Sequence, residues 1–164
     1  MQATIHTERL SLHLLQASDA EFIRKLVNTA GWLRFIGDRN VHSSEDAIAY
    51  IGNISAAQHL TYWVVRIKER DVSVGVITFI KRTYLEHFDI GFAFLPEYTG
   101  QGYAYEAARE ILSLVSQQPE YATVLATTLP DNVSSIRLLT KLGLRFCRKI
   151  DVGSDQLHVY SNAI

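Results

Sequence analysis

Asp89-Ile-Gly-Phe-Ala-Phe-Leu-Pro-Glu-Tyr-Thr-Gly-Gln-Gly-Tyr-Ala-Tyr-Glu-Ala107 is the stretch where the chain changes its rhythm. Its first half completes a strand expected over 87–95, which stops at Pro96 because proline has no N–H to give to a ladder. Its second half opens a helix, with Ala104, Ala107, Ala108, Ile111, Leu112 and Val115 recurring at helical spacing. Between the two, Gly100 and Gly102 allow a sharp bend and keep side chains out of a close approach. The first N–H groups of a helix have no intrahelical partner and sit at the positive end of its dipole. Such a turn suits a pyrophosphate, although two glycines also serve an ordinary strand-to-helix turn.

Upstream of this stretch the pattern is antiparallel. Residues 61–67 and 74–80 are rich in β-branched and aromatic side chains, and the polar Glu69-Arg70-Asp71 turn between them predicts a hairpin. The 87–95 strand adds to that hairpin. Downstream the elements alternate. A strand is expected over 121–127, then a helix opened by Pro130-Asp131-Asn132, carrying Ile136, Leu139 and Leu142 and ended by a left-handed Gly143. Strands over 144–150 and 156–160 close the chain.

Near the start, Leu10, Leu12 and Leu14 alternate with Arg9, Ser11 and His13, a strand with one buried face. Ser18-Asp-Ala-Glu21 reads as a capping box ahead of a helix striped by Phe22, Ile23, Leu26 and Val27. Another helix begins at Ser43 or Ser44 and carries Ala47, Ile48, Ile51 and Ile54, while Trp32, Phe35 and Ile36 fall in an irregular stretch. The order β-α-α-β-β-β-α-β-α-β-β predicts a mixed α/β layer on one sheet, a single domain over 1–164.

Composition narrows the function classes. A net charge of −1 gives no basic footprint for nucleic acid, and no apolar run reaches the length of a membrane span. The polar start with Glu8 and Arg9 lacks the apolar core of a signal peptide. The single cysteine, Cys147, excludes an internal disulfide and fits a reducing compartment, so the cytoplasm is expected. Its thiol is expected to pack as a small hydrophobe in a strand, a reactive thiol beside Arg145 and Arg148 being the alternative. The six histidines show no H-x-x-x-H pair, so no metal is expected. A P-loop string is missing, and a dinucleotide fingerprint fails because three antiparallel-type strands precede the glycines.

Four segments resemble the GNAT acyltransferases, and within them the Rim-type (RimJ/RimL-like) protein N-terminal acetyltransferases. They are Thr7-Glu-Arg-Leu-Ser-Leu12, Trp32-Leu-Arg-Phe-Ile-Gly37 with Glu45-Asp-Ala47, the stretch quoted above, and Asp131-Asn-Val-Ser-Ser-Ile-Arg-Leu-Leu-Thr-Lys-Leu-Gly143. They run in the family's order over nearly the whole chain. The resemblance implies a GNAT-like fold: one mixed, mostly antiparallel sheet splayed at a coenzyme A cleft and flanked by about four helices. It implies acetyl-CoA as co-substrate and transfer to a primary amine. A protein N-terminal α-amine is the favoured acceptor, with a polyamine or other small amine as the alternative, in a monomer or homodimer. A module that binds acyl-CoA without turnover is the reading from another class.

By the same resemblance the pyrophosphate loop is Thr99, Gly100, Gln101, Gly102, Tyr103 and Ala104, with the amides of the last four as donors. The pantetheine would lie along Ala93, Phe94 and Leu95 where that strand splays from 121–127; an unpaired strand edge offers N–H and C=O groups to an amide-bearing chain. The loop departs from the family at Thr99, where a long donor is usual; a Thr99 hydroxyl is the substitute. Leu139 replaces the tyrosine that often protonates the leaving thiolate. The Rim-type N-x-x-S motif maps onto Asn132-Val-Ser-Ser135, making Asn132 a cofactor contact and Ser135 the acid, with Ser134 second. Helix capping is the competing role there, and it explains Asp131 better than catalysis does.

For the base, Glu86-His-Phe-Asp89 offers three candidates. Alternation sets His87 and Asp89 on one face, and Asp89 stands where the family often has a carboxylate, so Asp89 is the first choice. A solvated strand end is the plain alternative for each. Glu106 also matches the family and is expected to act structurally at the helix start. Trp32, Phe35 and Tyr84 are expected to pack in the core, with acceptor walls as the alternative.

Overall fold

Leu10-Ser-Leu-His-Leu14 shows how alternation becomes architecture and where it stops: Leu10 and Leu12 are fully buried and Ser11 and His13 partly, but Leu14, expected on the same buried face, is 40% exposed at the strand end. In the computed structural model, which describes residues 4–163, this strand is the second of eight. The strands are β1 (Thr4–His6), β2 (Leu10–Leu14), β3 (Leu60–Ile67), β4 (Val72–Ile80), β5 (Asp89–Phe94), β6 (Leu125–Thr128), β7 (Arg145–Val152) and β8 (Asp155–Ser161). They form one sheet in the order β1-β2-β3-β4-β5-β6-β8-β7. Every pairing is antiparallel except β5 with β6. The helices are α1 (Ala20–Leu26), α2 (Ala30–Phe35), α3 (Ser44–Ala56), α4 (Tyr103–Val115) and α5 (Val133–Lys141). None is long and apolar enough to cross a membrane.

Two helical layers cover the sheet. Ala107, Ala108, Ile111 and Val115 of α4 and Leu139 of α5 pack on Leu10, Leu12, Trp63, Ile77 and Phe79. Both alanines are fully buried, and their small size lets α4 close on the strands. On the other face Ile23 and Leu26 of α1 and Ala47, Ile51 and Ile54 of α3 cover Val64, Val76 and Leu95. Burying each Leu or Ile side chain of this set stabilises the fold by about 1.5–3 kcal/mol.

The departures from the sequence reading have local causes. β1 was not expected, because three residues with only Ile5 buried carry no measurable alternation. Trp32 and Phe35 belong to a helix, α2, whose Thr29 cap accepts from the Trp32 N–H at 3.3 Å; Trp32 itself is core. The Ser18–Glu21 capping box does not form. Asp19 takes over the turn, accepting the Gln16 N–H at 2.9 Å and facing His13 Nε2 at 3.1 Å from the buried side. β6 begins four residues later than expected, since Tyr121 sits in a short 3₁₀ turn and packs edge-on against Phe79 and Phe88, 5.3 and 5.2 Å between centroids. Cys147 is exposed, not packed: the register of β7 shifts between Phe146 and Arg148, and that irregularity leaves the thiol outside the core.

Candidate active site

β4 and β5 pair over six positions, from Gly75 with Phe94 to Ile80 with Asp89. On its other side β5 meets β6 at one position only, Asp89 with Leu125, closed by the Leu125 N–H donating to Phe88 O at 3.0 Å. From there the two strands diverge, so the β6-facing N–H and C=O groups of Phe92 and Phe94 are unpaired among the described residues, while those of Gly91 and Ala93 face β4. Because β5 and β6 are parallel, the loops after both emerge at the same, open end of the cleft. Ligands of open sheets bind at such carboxyl ends.

The first of those loops is the glycine turn. Pro96–Tyr98 form a 3₁₀ turn, Gly100 has φ +74°, and Gly102, the N-cap of α4, has φ +84°. Both angles are in the region that L side chains rarely adopt. Glu106 N–H, 3.0 Å from Gly102 O, is the first amide of α4 with a backbone acceptor; among the described residues those of Gln101, Gly102, Tyr103 and Ala104 have none. The Thr99 hydroxyl donates to Pro96 O at 2.8 Å and so offers its proton to the turn instead of outward. Gln101 Nε2 likewise folds back on Glu97 O at 3.1 Å.

Arg9, in the bend just before β2, holds this geometry. Its Nη1 donates to Gln101 O at 3.0 Å and its Nε to Glu106 Oε1 at 2.7 Å, while its guanidinium lies 4.5 Å from the Tyr103 ring centroid. A trans peptide unit points its C=O and N–H in opposite directions. Pinning the Gln101 carbonyl toward Arg9 therefore turns the Gly102 N–H away from Arg9. Glu106 completes the lock by accepting from Thr7 Oγ1 at 2.5 Å and the Arg9 N–H at 2.9 Å. Burial works to raise its pKa, but these donors outweigh it and hold the carboxyl below its ordinary range. Glu106 has the structural role expected of it. Arg9 was legible only as a polar residue alternating with leucines; nothing in the local pattern shows a partner 97 residues away.

The second loop leads to α5. Asn132, not Asp131, is the N-cap: its side-chain oxygen accepts from the Ser135 N–H at 3.3 Å. Asp131 instead pairs with Arg34 at 2.9 Å, both side chains exposed. Ser135 is half-buried, and its hydroxyl has no protein partner among the described residues. Leu139, one turn further on, is core, 1% exposed. Gly143 has φ +92°, the left-handed conformation expected of it.

At the closed end stand the candidate bases. Glu86 and His87 lie in a bend before β5, so strand alternation does not govern them, and both are exposed. Glu86 pairs with Arg148 at 2.8 Å, and hydrogen bonds from the backbone and from Arg148 lower its pKa. Asp89 differs. It is 2% exposed; Oδ2 accepts from Arg82 Nε at 2.7 Å, and Oδ1 is buried without a partner. Burial raises its pKa above the ordinary carboxylate value against the opposing pull of Arg82. The cleft thus has the amide row and the start of α5 at its open end and Asp89 at its closed end, on one strand. No group of three His, Cys, Asp or Glu side chains is placed to hold a metal among the described residues.

Comparison with known proteins bears directly on this cleft. The family model described as acetyltransferase (GNAT) domain matches residues 9–145. The chain is 28% identical to the uncharacterized N-acetyltransferase YnaD of Bacillus subtilis (strain 168), covering 98% of this chain and 95% of that one. It superposes with a TM-score of 0.80 and 25% identity on a GNAT-family acetyltransferase from Bacillus anthracis, covering 96% of each chain. RimL, a ribosomal L7/L12 alpha-N-protein acetyltransferase in complex with coenzyme A, shares the fold at a TM-score of 0.83 and 14% identity, again over 96% of each chain.

Proposed function

This chain belongs to the GNAT acetyltransferase family and is an acetyl-CoA-dependent N-acyltransferase; we propose that its acceptor is an α-amine, and favour a protein N-terminus. The observation that supports a coenzyme A site is the single-position junction of β5 with β6 beside a row of unsatisfied amides; the acceptor reading rests on the likeness to RimL, a ribosomal L7/L12 alpha-N-protein acetyltransferase. In this reading the N–H groups of Gln101, Gly102, Tyr103 and Ala104 hold the pyrophosphate, and Arg9 keeps them turned toward it. Asn132 keeps its side-chain N–H groups for the cofactor while its oxygen caps α5. The free N–H and C=O groups of Phe94 and Phe92 align the pantetheine as a missing strand would be aligned. Of the expected edge, Ala93 faces β4 instead, and Leu95 has its N–H on Val74 O at 2.9 Å and its C=O on the Tyr98 N–H at 3.0 Å.

Bound acetyl-CoA supplies the activated acyl carbon. Asp89 takes the proton of the acceptor ammonium, directly or through one water, leaving a neutral nitrogen to attack. Burial raises its pKa, which makes it a stronger proton acceptor than an ordinary carboxylate. Ser135 gives its hydroxyl proton to the departing sulfur as the C–S bond breaks, and regains one as the acylated nitrogen sheds its second proton. Leu139 has no proton to give and lies in the core; the half-buried position of Ser135, whose hydroxyl has no protein partner among the described residues, supports its choice over Ser134.

Thiol release from acetyl-CoA, measured against a panel of amines, tests the reaction. Release with none of them would sink it. The cradle is tested by Gly102→Val. A Cβ at Gly102 lies 3.2 Å from Arg9 Nη2 at φ +84°, so the variant strains the turn, and coenzyme A affinity should drop at least tenfold. Unchanged affinity removes the cradle.

A further inference from the structure

The sheet face under α1 and α3 turns polar at the closed end of the cleft. Tyr62, Thr78 and Gly91 are in register across β3, β4 and β5, and Asp89 is the next residue on that face of β5. A Cβ at Gly91 would stand 2.6 Å from Thr78 Oγ1, so the glycine lets Thr78 pack directly on the strand beside Asp89. Arg82 reaches Asp89 from the β4–β5 connection. Only its Nε is engaged, at 2.7 Å from Asp89 Oδ2; its two Nη nitrogens meet no acceptor among the described residues, and the side chain is 35% exposed. Arg39 is exposed, its Nη1 3.3 Å from where a Cβ at Gly37 would stand, and its charge and that of Arg82 both reach half-buried Tyr62, whose pKa burial drives upward.

Arg82, Arg39 and Lys81 stand against Asp89 here, and Glu86 is matched by Arg148, which gives this end a net positive charge. That is the wrong sign for a polycation and the right one for an anion. A guanidinium whose Nη pair is free and whose Nε is anchored presents a fixed fork, which matches a carboxylate bidentately. We propose that the acceptor carries a carboxylate within a few bonds of its reactive amine, bound by the Arg82 fork with Arg39 assisting, so that the amine falls beside Asp89. This rests on the acetyl-transfer reading above. The carboxylate belongs either to a free amino acid or to an acidic first residue of a peptide.

Initial-rate thiol release by the full chain with acetyl-CoA separates these. Glycine is compared with glycinamide, and an amidated peptide beginning with Glu with the same peptide beginning with Gln; spermidine is the cationic reference. A tenfold or greater kcat/KM preference for the carboxylate member supports the proposal. The glycine pair assigns it to free amino acids, and preference in the peptide pair alone assigns it to acidic N-termini. A preference below twofold in both pairs, or spermidine outrunning all four, overturns it while acetyl transfer stands. No release from any acceptor removes the acetyl-transfer reading and this proposal together. Arg82→Met should erase the preference. Since it strands a buried Asp89, exposed Arg39→Gln is the second variant, expected to reduce the preference several-fold; an unaltered preference in both variants counts against the site.

Discussion

Replacing Arg9 with methionine keeps an unbranched side chain of similar length but removes the guanidinium that lies over Tyr103 and pins the Gln101 carbonyl. The side chain is 42% exposed, so its pair with Glu106 is screened and contributes at most about 1 kcal/mol. The hydrogen bond to Gln101 O at 3.0 Å adds about 1 kcal/mol, at the low end for a charged donor because of the same exposure. Global stability should therefore fall by about 1–2 kcal/mol, a melting shift of roughly 2–8 °C for a domain of this size. The larger consequence is local. Once the Gln101–Gly102 peptide turns freely, the Gly102 N–H no longer points reliably into the cleft, and about 1–1.4 kcal/mol of cofactor binding is lost. That corresponds to coenzyme A binding about five- to tenfold more weakly. Titration calorimetry with coenzyme A reads the affinity, and a thermal melt of the same sample reads the stability. Arg9→Lys, which restores charge without the fork, should recover stability better than affinity. A melting shift with coenzyme A affinity within twofold of the parent would show that Arg9 only ties β2 to α4 and does not set the cradle.

Ser135→Ala should reduce kcat about 100-fold with KM for acetyl-CoA nearly unchanged, since the α5 cap uses its backbone N–H and not its hydroxyl; a loss below threefold in steady-state thiol release gives the acid role to another group. Burial raises the pKa of Asp89, so the folded chain holds that proton to higher pH than the unfolded chain does. Its contribution to stability is then fully present below the ordinary carboxylate value and is lost as pH rises through the raised value. Urea unfolding of the parent and of Asp89→Asn between pH 4 and 8 should show the parent losing ground to the variant with rising pH; the opposite slope means that the Arg82 pair dominates. Activity should run the other way, kcat/KM falling as pH drops through the same value. Cys147 is exposed, and a maleimide should label it fully under native conditions without unfolding the chain; labelling that needs denaturant contradicts its placement at the β7 register shift.

Period and punctuation carried most of the fold. The leucine alternation of β2, the hairpin of β3 and β4, the proline stop after β5 and the glycine end of α5 are short-range effects, each decided by residues within a turn of one another. The same holds for the glycine loop, whose φ values follow from residue type. Where the reading missed, a distant contact had overridden the local preference. Tyr121 leaves its expected strand for the Phe79–Phe88 stack, Asp19 displaces the Ser18 cap because His13 faces it, and α2 exists where Trp32 reaches the core.

The site divides along the same line. Which atoms are available, a row of helix-start amides, a serine at the head of α5 and a carboxylate at the start of β5, was in the order of residues. What those atoms do was decided by separations the order cannot express. The β5–β6 splay arises because one position pairs and the next does not, the Gly102 amide faces outward because Arg9 holds the carbonyl behind it, and Asp89 holds its proton to higher pH because the sheet buries it with only one oxygen paired. Backbone conformation is a local choice of residue type; burial, charge pairing and the opening of a cleft are sums over the whole packed chain.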